Sequence, residues 1–205
     1  MAQTRKVLSV KRRNKTRRVM DKAFKGINAY GGRTEGIPFN TTYGEMTNDG
    51  IELLYELLVK HGGPGKVFYD LGCGSGKIPC GIALLHPTIR AKGIEVVQDR
   101  FNLAEKARRS LPLDVQRRVD FYWGSILDEP LHDLQSCFIS NLCFGPELNE
   151  KIARKLETEL KPGAIIVCSS QIPFDSTDKS FEFIEQTTLP MTWNSNSNVH
   201  VYKKI

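Results

Sequence analysis

Asp70, Gly72, Gly74 and Gly76 fall within Val67-Phe68-Tyr69-Asp70-Leu71-Gly72-Cys73-Gly74-Ser75-Gly76, and their types and spacing point to a binding turn. Glycines permit positive φ and let backbone amides approach a ligand with no Cβ in the way. A helix starting just beyond offers unpaired N–H groups. The glycines are spaced G-x-G-x-G, not the G-x-G-x-x-G of dinucleotide sites, and no G-x-x-x-x-G-K-[ST] phosphate loop is present. Asp70, two residues before the first glycine, would repel a pyrophosphate and suits a nucleoside ligand bearing positive charge. Glu95, 19 residues beyond Gly76 at the end of an apolar run, can accept hydrogen bonds from two ribose hydroxyls. An acid at a strand end is also a common solvated turn residue, so the reading rests on Glu95 together with Asp70 and the three glycines.

The elements that must hold these residues can be read from periodicity. Thr47 or Asn48 caps a helix whose apolar positions are Ile51, Leu54, Tyr55 and Leu58, and Gly62-Gly63-Pro64-Gly65 stops it. The strand at Val67 follows, then a helix with Ile78, Ile82 and Leu85 on one face, and a second strand from Ala91 to Val97. Phe101, Ala104, Ala107 and Leu111 mark another helix. Val119 to Trp123, Cys137 to Asn141 and Ala164 to Ser169 read as strands, with a helix over Ile152 to Leu160. Alternating strands and helices predict an α/β fold with a mostly parallel sheet and helices on both faces. Thr187 to Trp193 and Asn198 to Tyr202 add a C-terminal antiparallel hairpin around the polar turn Asn194 to Ser197.

Net charge is +6 over 205 residues, unevenly placed. Residues 1–33 hold eleven Lys/Arg against the single acid Asp21, whereas the rest holds 18 basic and 22 acidic side chains. The expected organisation is a basic, disordered arm over 1–33 and one catalytic domain over 34–205. Weak apolar periodicity supports disorder in the arm, or a helix formed only on a partner. Its Lys11-to-Arg18 cluster fits a nuclear localisation signal, a DNA-phosphate contact, an organellar presequence or a solubilising tail. The five cysteines form no CxxC pair or metal-type cluster and read as reduced thiols. No apolar run approaches the roughly 18 residues of a membrane span, so the chain reads as soluble and without a membrane role.

The acid, glycine turn and second-strand acid together resemble the class I S-adenosylmethionine-dependent methyltransferases, with their Rossmann-like sheet. The fourth strand runs into Ser140-Asn141-Leu142-Cys143-Phe144-Gly145-Pro146-Glu147. It lacks the Asn/Asp-Pro-Pro-Tyr run expected of enzymes that methylate base amines or glutamine amides. Asn141 offers an amide at the carboxyl edge of the sheet, Phe144 an aromatic wall; Asn141 also reads as a plain turn former.

Four blocks bring the resemblance closer, to the non-SET histone lysine methyltransferases of the disruptor-of-telomeric-silencing (Dot-one) type. They are Tyr43-Gly44-Glu45; Asp70 to Gly76; Gly93-Ile94-Glu95; and Asn141-x-x-Phe144-Gly145-Pro146-Glu147, followed by Ser169-Ser170-x-x-Pro173-Phe174 and Trp193. The first and last blocks are the more specific ones. The resemblance implies methylation of a lysine in the histone H3 globular core of nucleosomes, with S-adenosylmethionine as cofactor and no metal. It implies that Tyr43 and Glu45 close over the methionine part, and that Asp70, Gly72, Gly74, Gly76, Glu95, Ser125 and Asn141 complete the cofactor site. Asn141 would stand where cofactor and lysine channel meet, with Phe144, Trp193 and Tyr43 as the other catalytic-site residues. The arm would contact DNA, and the location would be nuclear, with cytoplasmic or organellar destinations as alternatives. The family's paired Asn-Asn is Ser140-Asn141 here, its following Phe is Leu142, and Ser125 replaces an acid expected near the adenine. A methyltransferase for another protein or a small molecule, and a catalytically silent chromatin-binding or nucleic-acid-binding module, remain alternatives.

Overall fold

The computed structural model describes residues 9–38, 40–175, 177 and 179–205. Its centre is a seven-stranded sheet. Val67–Leu71 (β1), Arg90–Glu95 (β2), Val119–Trp123 (β3), Ser136–Ile139 (β4) and Ile165–Cys168 (β5) run parallel. Phe181–Leu189 (β6) and Ser197–Lys204 (β7) form an antiparallel hairpin, with β7 laid antiparallel to β5 and β6 at the edge. The order is β3-β2-β1-β4-β5-β7-β6. It reverses between β1 and β4, and in open α/β sheets the crevice beyond the carboxyl ends at such a reversal is where ligands bind.

The sheet is buried on both faces. On one, Phe68, Ala91, Phe138, Val167 and Val201 pack under helices Val10–Ala23 (α1), Asn48–Lys60 (α2) and Lys77–Leu85 (α3). On the other, Tyr69, Leu71, Ile94, Ile139 and Ile166 meet Leu148, Ile152 and Leu156 of Pro146–Glu159, which is α6 because Gln98–Arg109 (α4) and the short Leu113–Gln116 (α5) precede it. Thr47 caps α2 as the sequence indicates, its side chain accepting from Gly50 N at 3.0 Å.

Two expectations need correction. The first strand of the hairpin spans Phe181–Leu189 and not Thr187 to Trp193. Pro190 has no N–H for the ladder and ends it, while the upstream half is an edge strand whose polar residues face solvent and mask its alternation. The basic arm is also not disordered over its described part. α1 starts at the cap Ser9 and docks through residues 13 and 17, one helical turn apart. The Arg17 guanidinium forks onto Glu52, with Nε and Nη2 at 2.8 and 2.7 Å, and also reaches Asp49. Arg13 pairs with Glu56. Glu52 is only 3% exposed, and Thr16, Met20 and Ala23 are buried beside it. Ion pairs replace most of the apolar stripe that a docked helix normally shows, which is why periodicity missed it. Arg5 and Lys6 lie outside the described residues.

Candidate active site

The cleft at the β1/β4 reversal is built first by backbone. After β1 the chain turns through Gly72, Gly74 and Gly76, all at positive φ, and α3 begins with no side-chain cap. Gly74 is required twice over. Its φ is +54°, and a Cβ there would stand 2.2 Å from the Tyr43 ring. The turn therefore packs directly against the Tyr43-Gly44-Glu45 loop, which comes from a distant part of the sequence.

That contact is polar as well. The Tyr43 hydroxyl donates to Glu45 Oε1 at 2.7 Å and accepts from Ser75 N at 3.2 Å. Ser75 Oγ donates to the same Glu45 oxygen at 2.9 Å, and Lys77 Nζ lies 3.5 Å from the other. Burial and the Glu45 charge raise the Tyr43 pKa, so it stays a neutral donor. The loop is fixed on its far side by the segment after β6. Thr192 N donates to Glu45 O at 2.8 Å, Glu45 N donates to Thr192 Oγ1 at 3.2 Å, and Met46 bridges to Met191. Trp193 packs directly against Gly44, where a Cβ would come within 2.2 Å of the indole.

Two buried acids lie inside, on neighbouring strands. Glu95, at the end of β2, accepts Gly74 N at 2.7 Å on one carboxylate oxygen and Val97 N at 2.8 Å on the other. Each oxygen keeps a further lone pair for a ligand hydroxyl. Asp70 is 2% exposed, lines the cleft, and receives no hydrogen bond from any described residue. Burial pushes its carboxyl well above the usual range, and the Glu95 charge raises it further. With no donor among the described residues, a carboxylate on the cleft wall is left to a cation or donor that enters the cleft. Methionine's ammonium, with a ribose diol on Glu95, fits this pair, so the residues present suit S-adenosylmethionine.

The cleft, partly open to solvent, gathers most of the expected residues. Tyr43, Glu45, Asp70, Gly72, Glu95, Ser125, Phe144 and Trp193 all line it. Gly74 and Gly76 shape its turn from behind. Asn141 is placed differently, 1% exposed and not on the lining. Its Nδ2 donates to Asn149 Oδ1 at 2.8 Å and to Ser170 O at 3.1 Å, and its Oδ1 accepts from Ser170 N at 2.8 Å. It ties the turn after β4 to α6 and to the end of β5, and the neighbour that reaches the cleft is Ser140. On this side Ser140, Phe144, Leu148, Met191 and Trp193 present no charge. Sequence reasoning missed Ser75, Lys77 and Arg100. Ser75 and Lys77 sit inside or beside the glycine motif, but Arg100 is set by contacts no local pattern carries. Among the described residues no group of three His, Cys, Asp or Glu could hold a metal ion, and no helix is long and apolar enough to cross a membrane.

Comparison with known proteins gives these features a family. Residues 37–198 match the model described as "Histone methylation protein DOT1". The histone-lysine N-methyltransferase, H3 lysine-79 specific, of Dictyostelium discoideum is 25% identical over 68% of this chain, and that of Eremothecium gossypii 24% over 71%. The chain spans only 9% and 27% of those two relatives. A protein-lysine N-methyltransferase of Saccharolobus islandicus is 29% identical over 49% of the chain and 60% of its own length. Among solved structures, an RNA methyltransferase of Salinibacter ruber with S-adenosyl-L-homocysteine superposes with a TM-score of 0.55 at 22% identity, covering 75% of this chain and 89% of that one. TrmN of Thermus thermophilus gives 0.58 at 18%, covering 76% and 49%. These likenesses show the fold, an α/β class I methyltransferase sheet with flanking helices.

Proposed function

We propose, on the premise that the chain belongs to the DOT1 histone methylation family, that it is an S-adenosylmethionine-dependent protein lysine N-methyltransferase acting on the globular core of histone H3 in nucleosomes. The observation that carries the reading is the juxtaposition of the unpaired buried Asp70 with an uncharged, aromatic-walled opening at Phe144 and Trp193. When bound, S-adenosylmethionine supplies a methyl group already activated by positive sulfur. Asp70 holds the ammonium, Glu95 the ribose, and the Tyr43-to-Glu45 loop covers the methionine end. The chain's remaining task is alignment and deprotonation of the acceptor. A lysine amine has a pKa of about 10.4 in water. The channel of Phe144, Trp193 and Met191 removes water from the ammonium and so lowers that value, with no dedicated base. Asn141 acts as a positioning residue, holding the turn that carries Ser140 and Phe144.

The nucleosome enters through α1. Lys11, Lys15, Arg18 and Lys22 form an exposed outward stripe, and no ion pair to them exists among the described residues. Such a stripe suits the phosphates of DNA and a nuclear location. Replacing all four by Gln should lower the magnitude of the slope of log K against log salt by about 3.6, at roughly 0.9 per phosphate contact. A second reading, a lysine on another protein, is favoured by the Saccharolobus islandicus relative, whose name specifies no histone. Labelled S-adenosylmethionine incubated with reconstituted nucleosomes, free histones and a cell extract separates the two. Label on H3 within nucleosomes supports the first reading; label only on non-histone proteins replaces it with the second.

A further inference from the structure

We infer that Arg100 is the positioning residue that latches the chain's own cofactor loop over the cleft. The inference rests on the methyltransferase reading only for the identity of the ligand. Between α1 and Met46 the described chain contains no helix or strand and crosses the start of α4 as a strap. Arg100, on α4, is 7% exposed and lies beneath it. Its Nε donates to Ala29 O at 3.2 Å, and an Nη donates to Thr41 O at 2.8 Å. These carbonyls are twelve positions apart, so one planar fork closes the whole excursion between them. The guanidinium carbon also stands 4.7 Å from the centroid of the Tyr43 ring, against which Tyr30 packs nearly perpendicular at 5.3 Å.

The same cation faces the cofactor half of the site. Arg100 lines the cleft, and its charge pulls the Glu95 carboxyl down against the larger upward push of burial. It therefore touches the strap through two carbonyls, the loop through an aromatic ring, and the buried acid through its field. An ammonium could supply the field and one such contact at a time; bridging two carbonyls while stacking on a ring needs a planar fork with several donors. The strap has other ties at the surface, among them the Tyr30 hydroxyl 2.9 Å from Thr192 Oγ1. Arg33 N donates to Asp99 Oδ2 at 3.0 Å at the surface, and Gly32 rests on Val97. Arg100 thus fixes the position of Tyr43 and Glu45 before any ligand arrives, which reduces the ordering cost of binding.

Arg100→Lys keeps the charge and much of the stem, while Arg100→Met removes the charge. Hydrogen exchange on the cofactor-free proteins should show the 30–45 amides opening about tenfold faster in both variants, with β1 and β4 unchanged. The Kd for S-adenosylhomocysteine, measured by calorimetry, should rise about tenfold in both, equivalent to about 1.4 kcal/mol. Strap exchange equal to wild type in both variants overturns the latch. So does wild-type affinity in Arg100→Lys, which would make Arg100 a counter-charge for Glu95 and no more. A wild-type protein that binds neither S-adenosylhomocysteine nor S-adenosylmethionine defeats the methyltransferase reading, and the exchange result still decides the latch.

Discussion

The two rims of the cleft are built on opposite physical principles. The β1–β2 rim concentrates charge where water is scarce, with Asp70 and Glu95 both buried and the latter clamped by backbone N–H groups. The β4–β7 rim carries no charge at the cleft, leaves Trp193 44% exposed, and spends its polar group, Asn141, on internal bonds. The first rim is shaped to hold one small ligand with fixed charges. The second offers an uncharged, partly aromatic wall, which on the function proposed above would strip water from an incoming amine. Binding and selectivity are therefore expected to fail separately when the rims are altered.

Asp70→Asn tests this division most severely. It should weaken S-adenosylmethionine binding by about 3–4 kcal/mol, the scale of a lost buried charge partner, yet leave the cofactor-free protein at least as stable, because an unpaired buried carboxylate is removed. Calorimetry and a melting curve on the same sample check both halves; a lower melting temperature would mean that Asp70 is a structural residue. Next in size is Asn141→Ala, which breaks three bonds and strands Ser170 N. A loss of about 2–3 kcal/mol is expected, lowering Tm by roughly 4–12 °C for a chain of this size. Trp193→Ala is aimed at the uncharged rim alone. Removing an aromatic wall should cost about 1.5–2 kcal/mol in kcat/KM for the acceptor, with cofactor Kd held within about threefold. An equal loss in both would show that the packing on Gly44 makes the two rims one unit.

The last effect, and the most gradual, is on pH. The Asp70 carboxyl titrates higher in the folded chain than in the unfolded one, so between the two values the cofactor-free native state binds more protons than the unfolded chain. Stability should therefore fall as pH climbs from the ordinary carboxylate range through the raised value, by about 1.4 kcal/mol for each pH unit crossed. Cofactor affinity should rise over the same window, because the ammonium needs the ionised acid. Thermal melts across pH, with and without cofactor, resolve the effect as the difference between wild type and Asp70→Asn.

The charged rim was legible in the sequence because its constraints are local. Asp70, the three glycines and Glu95 sit at fixed offsets from strand ends, and every parallel strand could be recognised from its apolar run. The uncharged rim was legible only through resemblance, and its geometry was not. Nothing in Ser140-Asn141 says which side chain turns into the cleft; the partners that decide it, Asn149 and Ser170, lie on α6 and beyond β5. α1 was misread for a related reason. Its docking partners are acids on α2, and a pattern of charges has no face until the opposing charges are placed. Arg100 was hidden because it recognises carbonyl groups, which every residue type presents alike.

The docking of α1 turns a tether into a ruler. A floppy basic tail would raise the local concentration of any polyanion without caring about its direction. A helix pinned by Arg13 and Arg17 holds Lys11, Lys15, Arg18 and Lys22 at one azimuth relative to Trp193. On the function proposed above, a duplex gripped there would bring to the cleft only those lysines that lie at one offset and bearing from its backbone. Trimming the segment would take away the buried Met20 and Ala23 along with the grip and bare the apolar surface they cover, so swapping its outer charges is the cleaner way to measure that offset.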